Sequence, residues 1–167
     1  MIFGTTTFSF VHVALSLLGI GSGFVVLAGM LRGKGLVGWT STFLVTTIAT
    51  SATGFGFPFV RLLPSHVVGI ISLVVLALAV YARYARHLEG GWRSAYVIGA
   101  VVALYLNVFV LIVQLFAKLP ALKAMAPTQS EPPFLVAQAA ALGVFVALGF
   151  IAMRKFRPDI GRAATKV

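Results

Sequence analysis

The chain has 167 residues, of which 60% are hydrophobic and 10% charged, with a mean hydropathy of +1.05, whereas a soluble domain carries about 25% charged residues. A soluble fold of this length leaves roughly a third of its extended-chain surface exposed, so its long apolar runs would give it a greasy exterior unless lipid were the solvent. The formal charge of +10 comes from 13 basic against 3 acidic residues spread between the apolar runs and at the C-terminus, not gathered in a groove or recognition helix, which argues against nucleic acid as a partner. The absence of cysteine removes disulfides, thiolate metal sites and a cysteine nucleophile.

The first apolar run, over residues 8–30, predicts a helix long enough for a hydrocarbon layer of about 30 Å. It lacks a positive leader and an A-x-A cleavage signal before Arg32, so it is expected to be retained, and its uncharged start favours an outside N-terminus. The second, over residues 39–57, carries Thr40, Ser41, Thr42, Thr46, Thr47, Thr50, Ser51 and Thr53. Hydroxyls can return their hydrogen bonds to the preceding turn, so such a helix survives in lipid. Glycines and Pro58 end it, and a hairpin with Arg61 and Pro64 leads to a third helix over residues 65–84. A basic connection precedes the fourth helix, over residues 92–117, and a proline-rich segment at 118–133 is too polar and broken to cross. The fifth helix spans residues 134–153 and a basic tail follows at 154–167. The expected fold is therefore all-α, one polytopic helical-bundle domain with five transmembrane helices.

The connections test that division independently of hydropathy. With the N-terminus outside, Arg32, Lys34, Arg83, Arg86, Arg93, Arg154, Lys155, Arg157, Arg162 and Lys166 fall inside, and only Arg61, Lys118 and Lys123 outside. This is the asymmetry of the positive-inside rule, and it predicts a cytoplasmic C-terminus.

Depth then sorts the polar residues. His12, His66, Asn107, Gln114 and Gln138, with Glu131 in the preceding loop, gather towards the outer face. His12, Ser16, Gly19 and Gly23 share one face of the first helix, and Gly19 with Gly23 forms a G-x-x-x-G step suited to close packing. Thr46, Thr50 and Thr53 share a face of the second helix and either pack against a neighbour or line a polar path. His12 and His66 are candidate ligands for a metal or haem, or are ordinary interfacial histidines with local hydrogen bonds. Asn107 and Gln114 lie two turns apart on one face of the fourth helix and need polar partners if they face inward.

Nucleotide-binding glycine loops, the G-x-S-x-G elbow and H-E-x-x-H are all missing from the sequence, and Glu89, Glu131 and Asp159 are too far apart in the topology for paired-carboxylate chemistry. No Asp, Glu, Lys or Arg falls in the middle of a predicted span, Arg83 and Arg93 lying at span ends, which argues against strong proton coupling. The stretches HVVGIISL (66–73), LYLNVFVL (104–111) and APTQSEPPF (126–134) resemble an uncharacterised family of small bacterial inner-membrane proteins, a resemblance that implies a location and no defined activity.

Three roles stay open. The chain is an accessory or structural subunit of a membrane assembly, a passive channel or facilitator for a small solute or ion, or an outer-side metal, haem or quinone binder using His12 and His66. Its expected partners are membrane lipids and either further copies of itself or a larger membrane protein.

Overall fold

A computed structural model describes residues 7–56 and 64–157. Arg61 of the outer hairpin, and Asp159, Arg162 and Lys166 of the basic tail, lie outside the described residues. The described chain is helical in the order α1 (Thr7–Leu31), α2 (Val37–Gly54), α3 (Pro64–Val80), a π-helical turn (Tyr81–Ala85), α4 (Trp92–Lys118), α5 (Pro120–Met125) and α6 (Pro132–Lys155).

Four helical stretches are long and apolar enough to cross a membrane: Thr7–Leu31, His66–Ala85, Trp92–Lys118 and Pro132–Lys155. The protein is thus an all-α, multi-pass membrane bundle. α2 has 18 residues, but its many hydroxyls lower its hydropathy. Several are turned back on the helix itself: Thr42 donates to the Gly38 carbonyl (3.1 Å), Thr46 to Thr42 (2.7 Å) and Thr53 to Ala49 (2.7 Å).

α1 and α2, α2 and α3, α3 and α4, and α4 and α6 run antiparallel. α1 packs along α2, α2 also along α3, and α4 lies at the centre, touching α1, α3, α5 and α6. The first connection is tight because Gly33 takes a left-handed conformation (φ 72°). Its N–H bonds back to Met30 O (3.0 Å) and the Lys34 N–H to Gly29 O (2.8 Å), so the last carbonyls of α1 are satisfied. The core is built from Met30 of α1, Phe43 of α2, Leu76 and Ala79 of α3, Tyr96, Val97 and Leu104 of α4, and Ala152 and Phe156 at the end of α6.

The proline-rich connection between α4 and α6 is more ordered than its composition predicts. Pro120 opens α5, where a missing N–H costs nothing. Phe116, Ala126 and Phe134 form a second small core beneath it, with Phe116 and Phe134 meeting edge to face at 5.3 Å.

Candidate functional site

The polar face of α1 meets α2 and α4. His12 Nδ1 lies 2.8 Å from Thr53 Oγ1. Thr53 already donates to the Ala49 carbonyl, which fits His12 as the donor in this pair. One turn on, Ser16 donates to the His12 carbonyl (2.8 Å). Gly19 then lets α2 and α4 come close: a Cβ there would stand 3.1 Å from Thr47 Oγ1, 3.4 Å from Thr46 Oγ1 and 3.5 Å from Asn107 Nδ2. Asn107 uses that space to donate to Thr47 Oγ1 (3.3 Å), tying α4 to α2. At Gly23 the neighbours are apolar, with Leu104 Cδ1 only 2.5 Å and Phe43 Cε2 2.9 Å from a hypothetical Cβ. Thr50 is buried in the same helix and its hydroxyl finds no partner.

His66 is buried and tilted against the Phe55 ring at 5.9 Å, just past the end of α2. The buried Gln138 donates to the Phe109 carbonyl of α4 (3.3 Å), leaving its own carbonyl oxygen buried without a partner. Gln129, in a left-handed conformation (φ 60°), donates to the Val113 carbonyl (2.9 Å). Gln114 is exposed.

Glu131 stands at the N-cap of α6 and accepts from the Thr128 N–H (3.1 Å), the Thr128 hydroxyl (2.9 Å) and the Ser130 N–H (3.1 Å). Desolvation pushes its carboxyl up, but these hydrogen bonds outweigh it and leave the group below the ordinary carboxylate range. Among the described residues no group of three or more His, Cys, Asp or Glu could hold a metal ion. His12, His66 and Glu131 therefore do not form a three-ligand set, and two imidazoles fall short of the three or four protein donors typical of zinc.

The opposite end of the bundle holds a cluster that the spacing of polar residues did not suggest. Thr40, fully buried, accepts from the Tyr96 hydroxyl (3.4 Å). The Arg83 guanidinium lies 5.4 Å from the Tyr96 ring centre and 5.7 Å from that of Tyr84, whose hydroxyl is 3.1 Å from Ser41. Arg86 lies 5.5 Å over Trp92, which in turn meets Tyr81 edge to face at 5.2 Å. Arg93 donates to the Phe156 carbonyl just past α6, a cation placed where the helix dipole is negative.

Between the two polar ends α1, α2 and α4 share a close apolar contact. The space among Gly23, Val26, Leu27, Met30, Phe43, Ala100, Val101 and Leu104 has no room for a water molecule. A second, wholly apolar groove of about 190 Å³ runs between α4 and α6, lined by Val101, Tyr105, Leu142, Phe145, Gly149 and Phe150 among others.

Thr47 is the hydroxyl that sequence spacing passed over. The row Thr40, Thr47, Ser51 has the same helical period as Thr46, Thr50, Thr53, so either could be the inward one. In the fold Thr40, Thr47 and Ser51 are buried and each meets another helix, Ser51 through Ser72 of α3 at 3.1 Å. Thr46 is half-buried and bonded to its own helix. Scans of the chain against protein-family models, curated proteins and solved structures returned no match.

Proposed function

We propose that this chain is an accessory or structural subunit of a membrane assembly, carried in the bacterial cytoplasmic membrane and attached through α6. The reading rests on one contrast. His12, Ser16, Thr47, Thr53 and Asn107 of α1, α2 and α4 are engaged with one another or with backbone, while the span of α6 is only 17% buried and turns outward a row of small residues, Ala139, Gly143 and Ala147. Small residues at that four-residue spacing let two helices approach closely in lipid. The close apolar packing among α1, α2 and α4 speaks against a solute path along that seam, and no group of three or more ligands among the described residues supports a zinc site.

The chain contains no cysteine, so one can be introduced at Gly143 or, as a control, at the exposed Leu18 of α1. Cross-linking in native membranes should give a discrete larger species from Gly143→Cys and none from Leu18→Cys. Monomer alone from both positions would remove the basis for an attachment face.

Five membrane spans, an outside N-terminus and a cytoplasmic C-terminus belong to the same proposal. α2 supports the fifth span because it lies antiparallel along α1, with Thr53 beside His12 near one end and Phe43 beside Gly23 further along. At 18 residues it reaches about 27 Å. Cysteines placed at Lys123 and Glu89 should differ in intact cells, the first labelled by an impermeant reagent and the second protected. The reverse pattern would invert the topology.

A further inference from the structure

We propose that the turn joining α3 to α4 binds the phosphate of an anionic phospholipid headgroup between Arg83 and Arg86. The backbone builds the site. α3 ends in the π turn, where the Arg86 N–H reaches Tyr81 O (3.0 Å) and the Leu88 N–H reaches Ala82 O (3.0 Å). His87 and Leu88 follow in left-handed conformations (φ 49° and 62°), which non-glycine residues adopt only when something compels them. Here the compulsion is Leu88, whose side chain is drawn into the main core. The result is a sharp return that sets both arginines against the first turns of α4.

Each guanidinium lies over an aromatic ring of α4, Arg86 over Trp92 and Arg83 over Tyr96. Those rings are four residues apart, hence about 6 Å along the helix. An arginine on a ring face keeps its N–H edge available for an oxygen acceptor, and its planar fork matches a phosphate. The Nε of Arg83 is buried and finds no acceptor, and an anion at the terminal N–H groups would offset the cost of holding that charge against two rings. Arg93, on the same helix turn, has its acceptor in the Phe156 carbonyl and needs none. The N-terminus of the 27-residue α4 adds positive potential, since Gly91 supplies no side-chain cap and the first turn contains no acid.

The surroundings select a lipid over a free anion. Tyr81 and Tyr84 are exposed beside the pair, and Leu78 and Val74 continue outward along α3 as an exposed apolar track. Tyrosine and tryptophan favour the headgroup level of a bilayer, where the phosphate of a phospholipid sits and from which its acyl chain could follow that track.

The test uses full-length protein purified in detergent, stripped of lipid and offered phosphatidylglycerol, phosphatidylcholine or inorganic phosphate, with retention read by native mass spectrometry. Wild type should retain phosphatidylglycerol in preference to phosphatidylcholine. Arg86→Gln, at an exposed position, should lower that preference roughly fivefold, and Arg83→Gln should do the same. Arg83→Lys, which keeps the charge, should retain part of it and decides the matter if Arg83→Gln fails to fold. Lys123→Gln, at the far end of the bundle, should change nothing. Equal retention of both lipids by wild type, or an undiminished preference in Arg86→Gln, would overturn the proposal. Displacement of the lipid by millimolar phosphate would overturn it too, in favour of a free-anion site.

Discussion

By length and composition α1 and α6 are nearly the same helix: 25 and 24 residues, both apolar enough to cross a bilayer, both with glycine in mid-span. Yet 33% of the α1 span is buried against 17% of α6. The glycines locate the difference. A Cβ added at Gly23 would stand 2.5 Å from Leu104 and 2.9 Å from Phe43, whereas one added at Gly143 would meet nothing within 4 Å. Lipid gives helices no hydrophobic reason to associate, so contact goes to surfaces that offer close approach together with polar bonds. The face of α1 has both, with Thr53 against His12, and Thr47 and Asn107 against Gly19. The outward face of α6 offers close approach alone.

The most damaging way to test that contrast is to fill the two glycines. Gly23→Leu should destabilise the detergent-extracted protein by about 1–3 kcal/mol, because Leu104 and Phe43 are themselves fully buried and have little room to yield. Gly143→Leu should stay within about 0.5 kcal/mol of wild type in the same unfolding assay. Equal losses at the two sites would mean that α1 and α6 are not packed differently after all.

A smaller effect is expected from the hydrogen bond that ties α4 to α2. Asn107→Ala and Thr47→Val, alone and together, form a double-mutant cycle whose coupling should be about 0.6 kcal/mol, the usual worth of an interhelical hydrogen bond in a membrane protein. A coupling indistinguishable from zero would show that the α4–α2 contact beside Gly19 is held by close packing without help from this bond. Smaller again is the corresponding change on α6. Gln138 donates over 3.3 Å and leaves its carbonyl oxygen buried and unsatisfied, so Gln138→Leu should be near neutral or slightly stabilising. A clear loss of thermal stability would show that α6 does depend on a polar anchor.

The smallest effect concerns the turn that delivers the chain to α6. The Glu131 carboxyl titrates below its ordinary range when folded, held there by Thr128 and Ser130. Its contribution should therefore be present above the unfolded carboxylate pKa of about 4.3 and be lost as pH falls through the lower folded value. The melting temperatures of wild type and Glu131→Gln should differ slightly at neutral pH and converge in acid. A gap that widened on acidification would contradict the hydrogen-bonded turn.

Legibility in the sequence followed the length scale of each signal. Helix positions were readable to within a few residues, since a run of twenty apolar residues has few other states in lipid. The alignment of His12, Ser16, Gly19 and Gly23 on one face of α1 was readable too, because helical period alone aligns those positions. α5 and its small core were not, since prolines and polar residues describe a loop as well as a helix that begins on proline. His66 resting on Phe55, and Arg83 on Tyr96, depend on which helices meet at each end of the bundle, and no local pattern encodes that.

The sequence by itself determined that this is a helical membrane protein, where its apolar helices lie and which residues are charged, because burial of backbone polar groups in lipid leaves a helix as the economical answer for such runs. Only the tertiary structure decided which side of each helix is inside. The rows Thr40, Thr47, Ser51 and Thr46, Thr50, Thr53 share one period and both face neighbours: Asn107, Tyr96 and Ser72 arrive from other helices to meet the first row, and His12 meets Thr53 of the second. A hydrogen bond between helices has an address at each end, and a single segment of sequence specifies only one.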